Sequence, residues 1–123
     1  MATTNDLMTG AHLAALAAQQ LGYSSVAISA AGTTSTDATV CDGQNKVFIL
    51  TATGSDGIRM NSSVPLLSFV IVANTSGSNG KVYPHTGGTV NGGSTDAGET
   101  IGTTTVQIWM RLSATAWCAV LGA

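Results

Sequence analysis

Beyond Gly22 the chain is cut into short β-branched runs by Gly, Asn, Asp and Ser, and this punctuation restricts its fold more than any other feature. Turn residues at such short intervals favour brief strands joined by tight connections. The candidate strands are Val26–Ser29, Thr36–Val40, Lys46–Thr53, Leu66–Ala73, Lys81–Tyr83, Thr100–Ile101, Thr105–Leu112 and Trp117–Leu121. Their number and spacing predict a mostly β protein, an antiparallel β-sandwich or barrel. In the run from Thr105, Val106, Ile108 and Met110 alternate with Gln107, Trp109 and Arg111, the period of a half-buried strand. That alternation places the three aliphatic residues on the core and Trp109 on the opposite face. Ser113–Ala116 then turns the chain into a terminal hairpin, and the nearly continuous apolar run Leu66–Ala73 predicts a central strand covered on both faces. No internal repeat and no domain boundary after Gly22 is visible.

The first 22 residues differ. From Asp6 to Leu21 the chain is rich in Ala, Leu, Met and Gln, which favour helix, and Gly22 is placed to end it. Leu7, Ala11, Ala14, Ala18 and Leu21 fall on one stripe, and Leu16 and Leu21 are large apolar groups of the segment. A lone helix of this length is marginal in water, so these residues, with Leu16, are expected to form an interface. The chain therefore divides into an N-terminal α-helical arm, residues 1–22, and a β domain, residues 23–123.

Charged residues make up 8% of the 123 residues, where about 25% is usual. Thr, Ser, Gly and Asn take their place, giving a polar, nearly neutral surface that a neighbour covers without desolvating many ions. Four scattered basic residues, Lys46, Arg59, Lys81 and Arg111, do not make the cluster that phosphate backbones require, so nucleic acid is not an expected partner. The N-terminus lacks the pattern of a secretion signal. The longest apolar stretch, Val64 to Ala73, is too short to span a bilayer, so no membrane association is expected. Cys41 and Cys118 are read as buried thiols acting as small hydrophobes, although their pairing is not decided by sequence.

Candidate chemistry is sparse. His85 could be imagined with Asp96 and Glu99 around a metal, but a solvated loop histidine is the plainer reading. Cys41 carries no local signature of a nucleophile, and the carboxylates Asp37, Asp42, Asp56, Asp96 and Glu99 lie in turns without calcium-loop spacing. The glycine-rich stretches read as turns, not phosphate loops. No catalytic, cofactor or metal site is expected, and the chain is not expected to be an enzyme.

One set of segments carries more. Val70-Ile71-Val72-Ala73-Asn74, a Ser/Gly loop, and then Lys81-Val82-Tyr83-Pro84-His85-Thr86-Gly87-Gly88-Thr89-Val90-Asn91-Gly92 resembles a pattern of small tailed-phage virion proteins. In that pattern a hydrophobic strand ending in Asn is followed by a Lys-Val-Tyr-Pro segment and an Asn-Gly turn. The entry Ile28-Ser29-Ala30-Ala31-Gly32-Thr33-Thr34, the step Gly98-Glu99-Thr100-Ile101-Gly102-Thr103 and the near-terminal Ala116-Trp117 extend the resemblance over residues 26–121. Met60-Asn61 departs from the Leu-Pro usual there. The positions that carry the likeness are Asn74, Lys81, Tyr83, Pro84, Gly88, Asn91, Gly92 and Trp117.

The resemblance implies a virion role of the capsid decoration (cement), head-fibre or tail-associated type. The expected function is that of a decoration protein, a homotrimer on the capsid exterior that binds the major capsid protein lattice, made in the host bacterial cytoplasm and needing no cofactor. The alternative is a head-fibre or tail-associated module that binds a receptor or glycan, for which Trp109 is the candidate exposed aromatic.

Overall fold

The computed structural model describes residues 25–43 and 47–121. The expected helical arm and its stripe, Leu7, Ala11, Ala14, Leu16, Ala18 and Leu21, lie outside the described residues. No helix occurs among the residues described, and these form ten strands in two sheets. They are β1 (Ser25–Ser29), β2 (Thr39–Val40), β3 (Val47–Thr51), β4 (Gly57–Arg59), β5 (Phe69–Asn74), β6 (Gly80–Tyr83), β7 (Thr89–Val90), β8 (Glu99–Ile101), β9 (Thr105–Arg111) and β10 (Ala116–Leu121). The six-stranded sheet has the order β1-β3-β5-β9-β10-β7, and the four-stranded sheet the order β2-β4-β6-β8.

The expected mostly β character holds, but an all-antiparallel sandwich or barrel does not. β1–β3, β3–β5, β2–β4, β4–β6 and β7–β10 pair in parallel; only β5–β9, β9–β10 and β6–β8 are antiparallel. The first six strands alternate between the sheets, so each parallel pair is joined through a strand of the facing sheet. Parallel strands need a connection of roughly a dozen residues or more, usually supplied by a helix. Here the facing strand supplies it, and the chain winds in three stacked, solenoid-like turns.

The corners of this winding repeat, although no repeat is apparent in the sequence. Asp37 accepts hydrogen bonds from Thr34 N (2.7 Å) and Thr34 Oγ1 (2.8 Å). Asp56 does the same for Thr53 N (2.9 Å) and Thr53 Oγ1 (2.8 Å) at the next turn. In the third turn Asn74 Oδ1 accepts from Ser76 N (3.0 Å) and Ser76 Oγ (2.6 Å). Each side chain closes its own turn locally, which is why Thr, Ser, Asn and Asp crowd these corners.

After β6 the winding ends. The β9–β10 hairpin returns antiparallel against β5, and the expected terminal hairpin is confirmed. Phe48, Leu50, Val70, Val72, Trp109 and Trp117 from the larger sheet meet Ile58, Met60, Val82 and Ile101 around the smaller one in a single core. Arg111 is a latch at the end of β9. Its guanidinium donates to Ser62 O (2.6 Å), Val64 O (2.7 Å), Ser113 O (3.2 Å) and Ala114 O (3.0 Å), tying the loop before β5 to the hairpin turn. A planar fork of five donors suits that task and an ammonium does not.

Candidate functional site: an uncharged outer face and a buried polar network

Most of the positions that carry the resemblance hold the fold, each with its own partners. Asn74 is buried at the end of β5, and its Nδ2 donates to Ser78 O (2.8 Å) and Gly102 O (3.0 Å) while Oδ1 holds Ser76. Tyr83 lies in close contact with two backbones: a Cβ on Gly57 or Gly98 would sit 2.6 or 2.7 Å from its ring. Its hydroxyl donates to Thr33 O at 3.0 Å. Pro84 and Gly88 are buried, and Gly88 N closes a turn on His85 O. Asn91 and Gly92 take φ of 50° and 73° with Gly93 N bonded to Val90 O, the two left-handed positions of a type I′ turn. Asn91 also pairs with the backbone of Ala119, accepting from its N (2.8 Å) and donating to its O (3.1 Å), as an extra strand residue would. Lys81 is half-buried on β6, and its backbone N bonds Asp56 O.

Trp117 joins this set to a network sequence reasoning missed. Its Nε1 donates to His85 Nδ1 at 2.8 Å, and its ring meets Trp109 edge-on at 6.1 Å between centroids. Trp109 Nε1 donates to Gln107 Oε1 (3.0 Å), and Gln107 Nε2 reaches across to Thr100 O (2.8 Å) in the region of the facing sheet. His85, read as a solvated loop residue, is therefore buried, and its Nδ1 must be unprotonated to accept from Trp117. Burial, with Arg111 nearby, holds its pKa below the usual histidine value, against the opposing pull of the Ala114 backbone and Asp96.

The sign of that shift predicts a pH dependence. Above the unfolded value of about 6.5 His85 is neutral in both states and its contribution to stability is intact. As pH falls below 6.5 toward the lower folded value, the unfolded chain takes up a proton first and stability declines. Urea midpoints measured from pH 7.5 to 5.5 should fall, and His85→Gln should flatten its share of the slope. Midpoints that stay constant or rise on acidification would contradict this.

Chemical groups elsewhere are dispersed. Asp96 Oδ1 caps Gly87 N (2.7 Å), and among the described residues no three His, Cys, Asp or Glu side chains gather as a metal site would require. Cys41 is buried, and desolvation pushes its thiol pKa up to about 12. Cys118, also a free thiol, is exposed, which corrects its reading as a buried residue. A cavity of about 150 Å³ lies beside Arg59, Asn61, His85 and Thr86; Arg59 Nη1 is already engaged by Ser35 O (2.9 Å).

The larger feature is the outer face of the six-stranded sheet. On β9 the alternation has the expected period and the opposite sense. Trp109 and Gln107 are fully buried, whereas Val106 and Ile108 are 47% and 41% exposed and Met110 also faces outward. Strand register assembles these exposed residues and half-buried neighbours into rows. Val47, Ile71, Ile108 and Val120 run side by side across β3, β5, β9 and β10. Phe69, Met110 and Cys118 form the row on one side, and Ile49, Ala73 and Val106 the row on the other. Leu67 and Leu112 lie just beyond the ends of β5 and β9, and Leu67, in a turn with φ of 63°, is 70% exposed. β5 is thus central in its sheet, as expected, but Phe69, Ile71 and Ala73 on its outer side are only half-buried. No charged side chain among the described residues belongs to these rows.

The class defined by this geometry is a two-sheet, solenoid-like β protein with an apolar outer wall. In comparisons with known protein families, curated proteins and solved structures, nothing matched the chain.

Proposed function

We propose that this chain is a structural protein of a tailed-phage virion, a capsid decoration protein that acts by packing and carries out no chemistry. In this reading it assembles as a homotrimer on the capsid exterior, binds the major capsid protein lattice and stabilises the head. The observation that carries the proposal is the uncharged apolar outer face of the six-stranded sheet, with Val120 66% exposed at its centre row. Contiguous apolar patches beyond a few hundred Å² mark interaction surfaces. The resemblance of residues 26–121 to small virion proteins supplies the setting. The alternative, a head-fibre or tail module binding glycan through Trp109, loses its aromatic platform, because that ring is fully buried.

Contacts made by a chain of which only 8% is charged depend little on ionic strength, since screening acts on charges. Purified chain incubated with phage capsids assembled without it should cosediment with them, and the bound fraction should stay nearly constant up to about 0.5 M salt. Release of the chain at that salt, or failure to bind particles at all, would sink the reading.

A further inference from the structure

We infer that the outer face of the six-stranded sheet is the surface on which a second copy of this chain packs. The inference rests on the assembly role just proposed and names the partner of that face.

Size is the first argument. Four strands about 4.8 Å apart and five residues of about 3.3 Å outline a wall of roughly 19 by 17 Å. With side chains rising from it and the Leu67–Leu112 shoulder beside it, the apolar surface is on the order of 600 Å². That is the upper end of what an ordinary monomer leaves open, and it approaches the roughly 800 Å² per partner of a standard interface.

Charge is the second. A face that meets a different protein is free to carry ions matched by the partner's. A face that meets its own copies about the symmetry axis of the assembly sets like against like near that axis, where each charge would confront its twin. The rows across β3, β5, β9 and β10 carry no ion, although the same strands present polar side chains elsewhere. A surface of this kind is complementary to itself.

Position is the third. The wall is regular sheet whose side chains are held by neighbours on both sides, so packing on it orders few additional groups and association costs less entropy. β5 and β9, at its middle, are joined by six residue pairs.

Cys118 provides the probe, because it stands in the row with Phe69 and Met110 while Cys41 is buried and serves as an internal reference. The full chain is examined by light scattering over a concentration series, alongside Val120→Glu and Ile108→Glu, and iodoacetamide labelling of Cys118 is followed in parallel. The expected result is a multiple of the chain mass that falls to a single chain in both variants. Circular dichroism should be unchanged, and Cys118 labelling should slow at least tenfold as wild-type concentration rises. Labelling of the wild type tests the inference even if a variant fails to fold.

A monomer with freely reactive Cys118 at every concentration overturns the inference and leaves the face to a different protein. Protection of Cys118 that is independent of concentration and lost when residues 1–24 are removed also overturns it, making the N-terminal segment the occupant. An oligomer indifferent to both substitutions, with Cys118 reactive, places the contact elsewhere. Capsid cosedimentation is a separate readout, so a chain that binds particles as a monomer refutes this inference without touching the virion reading.

Discussion

Trp117→Ala should lower the unfolding free energy by about 3–5 kcal/mol, the cost of emptying a large aromatic site in a core that cannot fully collapse. The ring is 1% exposed, packs edge-on against Trp109 and donates its only polar hydrogen to His85. Its removal deletes the aromatic contact and leaves a buried imidazole nitrogen without a donor. Urea unfolding should show a lower midpoint at unchanged m-value. A loss below about 1 kcal/mol would mean that the indole is not a core group. Trp117→Phe should recover much of the packing and none of the hydrogen bond, separating the two contributions.

Asn74→Ala should cost about 2–4 kcal/mol, although it removes only a small polar group. The side chain satisfies Ser78 O, Gly102 O and, at 3.4 Å, Ile101 O with one amide nitrogen. Its oxygen accepts from Ser76 N and Oγ, and Ser76 Oγ in turn accepts from Ala52 N (3.1 Å). Alanine would orphan this whole corner. Asn74→Asp keeps the acceptor but turns a second oxygen toward the carbonyls, so it should destabilise at least as much. Thermal melts of the two variants decide the matter, and an aspartate variant as stable as wild type would refute the assigned donor geometry.

What the sequence discloses follows from which physical signals are local. Strand existence was legible for β1, β2, β3, β5, β6, β8, β9 and β10, because β-branched runs bounded by turn residues are a local signal, although only Thr39–Val40 of the expected Thr36–Val40 is strand. β4 and β7 were missed: Gly57-Ile58-Arg59 contains a glycine and a cation, and Thr89–Val90 is two residues long. Pairing direction was misread because it depends on where a strand's neighbour lies in the chain. The parallel stack is possible here only because the facing sheet supplies the crossover. The sense of β9 was inverted for an instructive reason. Periodicity separates two faces without saying which is inward, and hydrophobicity favoured Val106, Ile108 and Met110. What decides is that Gln107 and Trp109 satisfy each other's polar atoms and the Thr100 carbonyl, so they can be buried without an orphaned group.

The candidate site was partly legible. Asn74, Tyr83, Asn91 and Trp117, singled out in the sequence, each hold the fold through buried contacts or backbone hydrogen bonds. The apolar wall was not foreseen, since it arises from register across four strands and from a face assigned to the core. His85 as the acceptor for an indole N–H was equally invisible, because 32 residues separate the partners.

The return of the β9–β10 hairpin against β5 also sets an order of events on the ribosome. The three wound turns are complete once Tyr83 has been made, yet one edge of β5 then lacks its neighbour, because that neighbour begins at Thr105. Until the last strands emerge, the nascent chain carries an open, aliphatic strand edge of the kind that recruits other chains. The final segment therefore acts as a built-in guard for the part synthesised before it, and a chain truncated before Thr105 would be released with its stickiest edge uncovered.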